Sequence, residues 1–190
     1  MESRFKMSGE QMLSTFFEND CFRIQRSQTA GLGAVAIRNL EEGDVILRER
    51  PLFTANASNV FEAYEKLTGR DKNVAMSLHA NALLKPGTPR IQAVWKTNCF
   101  AVTDTVAGLF PVASRFNHAC HPSQNVHFSF DRNSGLLILS IRAKHVAEGE
   151  ELKVSYGTDR TPEDLYHLYG FICQCGTCSG MNPTVLGLEW

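Results

Sequence analysis

The segment Cys173-Gln174-Cys175-Gly176-Thr177-Cys178 places three thiols within six residues. With a glycine inside the tight turn, that spacing lets three thiolates converge on one ion. A structural Zn²⁺ site is tetrahedral and takes four ligands. A distant residue must therefore be carried to this segment. The chain offers Cys21, Cys99 and Cys120, or a histidine. The C-terminal end is thus tied to an earlier part of the chain before any other element is placed.

Metal binding is the favoured use of these cysteines because the chain reads as intracellular. No apolar run approaches the roughly 18–20 residues of a membrane span. Met1–Glu10 is polar and mixed in charge, without the apolar core of a secretory signal. Intracellular thiols stay reduced, so six cysteines point to metal or catalysis before disulfides. The formal net charge of −1 carries no basic surplus for phosphate neutralisation. Neither direct nucleic-acid binding nor membrane association is expected. No basic cluster acts as an import signal, so nucleus and cytoplasm are both open. The 190 residues, 43% of them hydrophobic, suffice for one domain with a sizeable core.

Periodicity divides the chain into three parts. Ser14–Asn19 closes a short helix, and Phe22–Arg26, Ala34–Arg38 and Val45–Arg48 read as strands. The turns between them are Gln28–Gly33 and Glu41-Glu42-Gly43-Asp44. The middle is helical: Asn59–Thr68, Asp71–Leu84 and a third helix carrying Ile91, Val94, Trp95 and Asn98 have apolar residues at helical spacing. Strands return at Val126–Phe130 and Leu136–Ile141, around the hairpin loop Asp131–Gly135, and at Leu152–Tyr156. Pro162–Tyr169 reads as a helix with Thr161 as its N-cap. The fold class is α+β and β-rich, with short strands and a helical insert.

Three other motifs bear on chemistry. Gly31-Leu32-Gly33, with Ala36, imitates a dinucleotide fingerprint, but polar Ser27-Gln28-Thr29 directly precedes it and β-branched Val35 and Ile37 follow where a helix is needed. A turn remains, whose missing side chains let a ligand approach the backbone. Asn117-His118-Ala119-Cys120-His121-Pro122 sets polar and metal-capable residues between apolar stretches. Nothing near it supports a cysteine nucleophile. Glu151–Tyr156 ends a strand in an aromatic hydroxyl, which by itself reads as a core tyrosine.

In this order, these motifs resemble the SET-domain family. The resemblance runs from about Cys21 to Ser179. It rests on Gly31-Leu32-Gly33, Arg115–Pro122, Glu151–Gly157 and Cys173–Cys178. Pro51-Leu52-Phe53 and Gly108-Leu109-Phe110-Pro111 look most like its SMYD-type branch. The MYND zinc finger of that branch is missing, since no cysteine lies between Cys21 and Cys99.

The resemblance implies a SET fold of small antiparallel sheets with a knotted active-site core. It would comprise a SET domain at 21–157 with a helical insert at about 57–100, a zinc-bound post-SET segment at 158–180, and terminal extensions at 1–20 and 181–190. It implies S-adenosylmethionine as cofactor and a protein or peptide lysine, histone or not, as substrate of a monomeric enzyme. By the same resemblance Gly31, Leu32 and Gly33 lie against the cofactor. Asn117 and His118 contact it through side chain and backbone, and Phe171 lies over the adenine. Tyr156 is the catalytic tyrosine, and Cys120 joins Cys173, Cys175 and Cys178 on Zn²⁺. Phe110 and Tyr169 are candidate walls of the lysine channel, each equally readable as core. One departure stands out. The family carries asparagine directly after the proline, whereas here Ser123 follows Pro122 and the asparagine comes at Asn125. The loop is expected to bulge. The alternative it leaves is a catalytically weak or inactive SET fold acting as a protein-interaction module.

Overall fold

The computed structural model describes residues 17–157 and 159–181. The chain starts as a hairpin of β1 (Phe22–Arg26) and β2 (Leu32–Ala36), in register from Phe22 opposite Ala36 to Arg26 opposite Leu32. The Ser27 N–H donates to the Gly31 carbonyl at 3.0 Å to close it, with Gly31 at φ 52°, where a side chain is strained. Strand pairing thus begins at Leu32, two residues before the expected Ala34. Of the helix expected at Ser14–Asn19, residues 14–16 lie outside the described part. Phe17–Asn19 are not helical. There the Asn19 side-chain oxygen accepts the N–H of Cys21 and Phe22, both at 2.9 Å, and turns the chain into β1 instead.

After β3 (Leu40–Glu41), β4 (Val45–Glu49) and β5 (Phe53–Ala55) comes the insert of α1 (Val60–Glu65), α2 (Gly69–Met76) and α3 (Arg90–Asn98). The first two helices are shorter than their periodicity predicts. Thr68, expected inside the first, instead caps the second, its hydroxyl accepting the Asp71 N–H at 3.2 Å. The second stops at Met76, where Ser77 is the C-cap. Two strands, β6 (Cys99–Ala101) and β7 (Ala107–Leu109), return the chain to β5 in the order β5-β7-β6.

The last part holds β8 (Asn117–His118), β9 (Val126–Asp131), β10 (Leu136–Ile141), β11 (His145–Val146), β12 (Glu151–Val154) and α4 (Pro162–Tyr169). β4, β10 and β9 form one sheet, β11 pairs with β3, and β12 and β8 extend the first hairpin to β1-β2-β12-β8. Thr161 and Asp164 form a reciprocal capping box at the start of α4.

Two cores result. The main one gathers Phe22, Ile24, Leu40, Phe110, Phe116, Leu137, Leu139 and Leu152. The insert has its own around Phe53, Val60, Leu78, Ile91, Val94 and Trp95, with Phe53 stacked on Trp95 at 5.1 Å between ring centroids. Leu109 belongs to the insert core and its neighbour Phe110 to the main core, both fully buried. Among the described residues no helix is long and apolar enough to cross a membrane.

A candidate cofactor cavity beside a four-thiol cluster

The site is set by β8, two residues long. It runs parallel to β12, with Asn117 opposite Lys153 and His118 opposite Val154. The other strand pairings among the described residues are antiparallel. The Asn117 Nδ2 donates to the carbonyls of Ala30 and Leu32, each at 3.2 Å, and to Glu151 Oε1 at 2.7 Å. One amide thus locks the Gly31 turn to β12. A Cβ at Gly33 would strike Glu151 Oε1 and come within 3.0 Å of Asn117 Nδ2. Burial opposes ionisation of Glu151, but hydrogen bonds from Asn117, Ser27 and Thr29 and the Lys153 ammonium at 3.4 Å outweigh it. The carboxyl is held below its ordinary value.

A cavity of about 1010 Å³ opens on this assembly. Gly31, Leu32, Asn117, His118, Tyr156 and Phe171 all line it. Gly33 is not on the wall. Its role is to make room for Glu151 and Asn117. The insert adds His79, Trp95, Asn98 and Phe100 to the lining. Of the two candidate channel residues, Tyr169 faces the cavity. Phe110 is fully buried against Phe100 and Phe130 and belongs to the core.

Tyr156 follows β12 by two residues and is fixed at three points. Its hydroxyl donates to the Phe116 carbonyl at 3.0 Å, and its carbonyl accepts Arg160 Nε at 3.0 Å and the Tyr169 hydroxyl at 3.2 Å. Its N–H donates to His118 Nδ1 at 3.0 Å. Burial, then the nearby Tyr169 and Glu151, push the Tyr156 hydroxyl above its ordinary value, so it stays a protonated phenol. Burial lowers His118 to about 4, so the ring is neutral. The Phe171 ring meets Tyr156 edge-on at 6.0 Å.

Cys120 is the cysteine that reaches the C-terminal segment. The sulfurs of Cys120, Cys173, Cys175 and Cys178 all lie within 4.8 Å of one another. Cys21 sits beside Arg38 and Cys99 pairs with Leu109, both elsewhere. Four thiolates on a tetrahedral ion at about 2.3 Å would stand about 3.8 Å apart. The Cys120–Cys173 and Cys175–Cys178 separations are both 3.7 Å. Burial raises the Cys120 and Cys173 thiols. Burial works the same way on Cys175, but the N–H groups of Cys178, Thr177 and Cys120 outweigh it and lower that thiol to about 5. The four are a group able to hold a metal ion, which would replace the shared protons.

The SET-domain family profile matches residues 31–157, which supply most of the cavity wall. The chain belongs to the SET-domain family. A histone-lysine N-methyltransferase, set5 of Schizosaccharomyces pombe, is 27% identical over 172 residues, which are 86% of this chain and 52% of that protein. The mouse protein-lysine N-methyltransferase SMYD4 is 32% identical over 78 residues, 37% of this chain and 9% of that protein. The chain thus spans about half the length of set5 and far less of SMYD4. Among solved structures, the SET domain of LSMT bound to lysine and AdoHcy shares the fold with a TM-score of 0.54. It is 14% identical, over 83% of this chain and 54% of that one.

Within this SET domain the shifted asparagine is in use. The chain turns at His121–Ser123, closed by Ser123 N–H donating to the Cys120 carbonyl at 2.7 Å. Asn125 then lies buried. Its Nδ2 donates to the Glu151 carbonyl at 2.9 Å and its Oδ1 accepts the Lys153 N–H at 2.7 Å. The loop takes a tight turn there, and Asn125 fastens it to β12. A second unforeseen residue is Glu49, whose two carboxylate oxygens accept the N–H groups of Val112 and Ala113 at 2.8 Å. It caps the 3-10 turn Ala113–Arg115 that leads into Phe116 and β8.

Proposed function

We propose that this SET domain is an S-adenosylmethionine-dependent N-methyltransferase acting on a lysine side chain of a protein. Zn²⁺ on the four thiolates would be its structural metal. The observation that carries this reading is the placement of the Tyr156 hydroxyl. It is held on the Phe116 carbonyl, at the wall of a cavity flanked by the Gly31 turn, Asn117 and Phe171. When bound, S-adenosylmethionine supplies a methyl group activated by a sulfonium. The Gly31 turn, Asn117 and Phe171 are the residues that would hold it.

The remaining work falls to this chain's side chains. A lysine ammonium has no free electron pair and an ordinary pKa of about 10.4, so it must shed a proton to solvent before attack. Phe100, Phe116 and Phe128 on the cavity wall favour the neutral amine by desolvation. Tyr156 is a poor base because its phenol stays protonated. Its donor is already committed to Phe116, so it offers the amine an oxygen acceptor and a fixed direction. Alignment of amine and methyl supplies much of the rate. Cys120 and Cys173 bind the C-terminal segment beside Phe171, so the metal would hold that wall in place.

The test is methyl transfer from labelled S-adenosylmethionine to histones and to a proteome extract, with the modified site mapped. Transfer to a lysine supports the reading. Normal cofactor binding with no transfer to any protein would establish the interaction-module alternative instead. The buried, fully bonded Asn125 favours the active form. A reduced four-thiol site suits the nucleus or the cytoplasm, and fractionation of cells tests that. Size-exclusion with light scattering tests the expected monomer.

A further inference from the structure

The second residue of β8 makes two polar contacts that cofactor binding does not explain. His118 Nδ1 accepts the Tyr156 N–H at 3.0 Å. His118 Nε2 stands 3.3 Å from Cys120 Sγ. A backbone N–H can only donate, so Nδ1 is bare. With Nδ1 bare, the ring proton sits on Nε2 and points at sulfur. Both ring nitrogens are thus spent on the protein. The ring carbons lie among Tyr156 and Phe171, at 5.1 and 5.9 Å between centroids.

We propose that His118 is a positioning residue that ties the Tyr156 backbone to the Cys120 sulfur, so that metal ligation in the four-thiol cluster governs where Tyr156 stands. Its catalytic consequence rests on the methyltransferase reading; its tautomer and its link to the metal do not. A thiolate accepts a stronger hydrogen bond than a thiol. Ligation by Cys120 therefore tightens the Nε2 contact, and the rigid ring passes that restraint to the N–H two residues beyond β12. Groups that orient metal ligands in this way influence metal affinity by about 10–100-fold.

The two contacts can be cut separately. In His118→Asn the side-chain oxygen falls near the place of Nδ1, so the Tyr156 N–H keeps an acceptor while Cys120 loses its donor. In His118→Gln the longer amide reaches Cys120, but the Tyr156 N–H loses its acceptor. With the zinc-loaded full chain, His118→Asn is expected to weaken Zn²⁺ about 10–100-fold in a chelator competition and, with the tie to sulfur cut, to lower kcat even at saturating zinc. His118→Gln is expected to hold zinc normally and to lose about 100-fold in kcat, with the Kd for S-adenosylmethionine little changed. Equal rises in cofactor Kd for both variants, with zinc affinity unchanged, would make the imidazole a cofactor ligand and overturn the proposal. Nitrogen-15 NMR of the wild-type ring stands apart from folding of the variants and from activity. A bare Nδ1 and a protonated Nε2 that shifts on zinc removal are expected, and a protonated Nδ1 overturns the proposal. If wild type transfers no methyl at all, the methyltransferase reading fails, while the tautomer and zinc affinities still decide this one.

Discussion

Single residues here act through two or three well-placed contacts each. Removing the Tyr156 hydroxyl in Tyr156→Phe takes away the oriented acceptor and leaves the packing of the ring. We expect kcat to fall about 100-fold, or the number of methyl groups added to change. Labelled-methyl transfer followed by mass spectrometry reads both, and an unaffected variant removes Tyr156 from the mechanism. Asn125→Ala takes their side-chain partner from the half-buried Lys153 N–H and Glu151 carbonyl. The expected loss is about 2–3 kcal/mol in urea unfolding. Glu49 makes a pH-dependent contribution. Burial outweighs its two N–H partners and raises its carboxyl from 4.5 to about 7. The folded state therefore binds this proton more tightly than the unfolded chain. The stabilisation is full below pH 4.5 and is lost as pH rises through 7, an effect of about 3 kcal/mol. Thermal unfolding from pH 5 to 8 should show a falling Tm, and Glu49→Gln should flatten that segment of the curve.

At the scale of elements, what was legible followed from local spacing. The N-cap of α4 is visible because Thr161 stands directly before Pro162 at the first helical position. The Cys173–Cys178 turn and the hairpin at Asp131–Gly135 are equally local. Other features depend on partners far along the chain, and no spacing rule reports them. Glu49 meets Val112 across 63 residues, and Asn81 Nδ2 donates to the His167 carbonyl across 86. Asn117 could be singled out from its motif. That it bonds the Ala30 and Leu32 carbonyls, and so explains Gly33, required the parallel pairing of β8 with β12. Phe110 was ambiguous for the same reason, since an apolar run cannot say which of two cores each residue enters. The capping box offers a contained test. Thr161→Ala should destabilise by about 1 kcal/mol, and circular dichroism melts check it. The larger effect should fall on the KM of S-adenosylmethionine, because Tyr169 and Phe171 follow from α4.

For the whole molecule, the four-thiol cluster joins the C-terminal segment to the loop after β8. Stripping metal with a chelator should leave both apolar cores folded while the wall at Phe171–Cys175 loses its anchor. We expect the far-ultraviolet spectrum to persist and cofactor binding to weaken at least about 10-fold. Calorimetry on stripped and reloaded protein measures it, and unchanged cofactor affinity would separate the cluster from the cavity.

The adjacent pair Leu109 and Phe110 has a consequence for how such a chain can vary. Leu109 enters the core of the insert and Phe110 that of the body, so the two cores part at one peptide bond. The insert closes on itself through β5, β7 and β6, but it also reaches the body where Asn81 Nδ2 meets the His167 carbonyl and where His79, Trp95 and Asn98 line the shared cavity. The stretch between Ala55 and Cys99 is therefore a folded unit with its own core and a second face on the site. Sequence change there redraws one wall of the cavity, while the glycine turn, the tyrosine and the thiols stand on other elements.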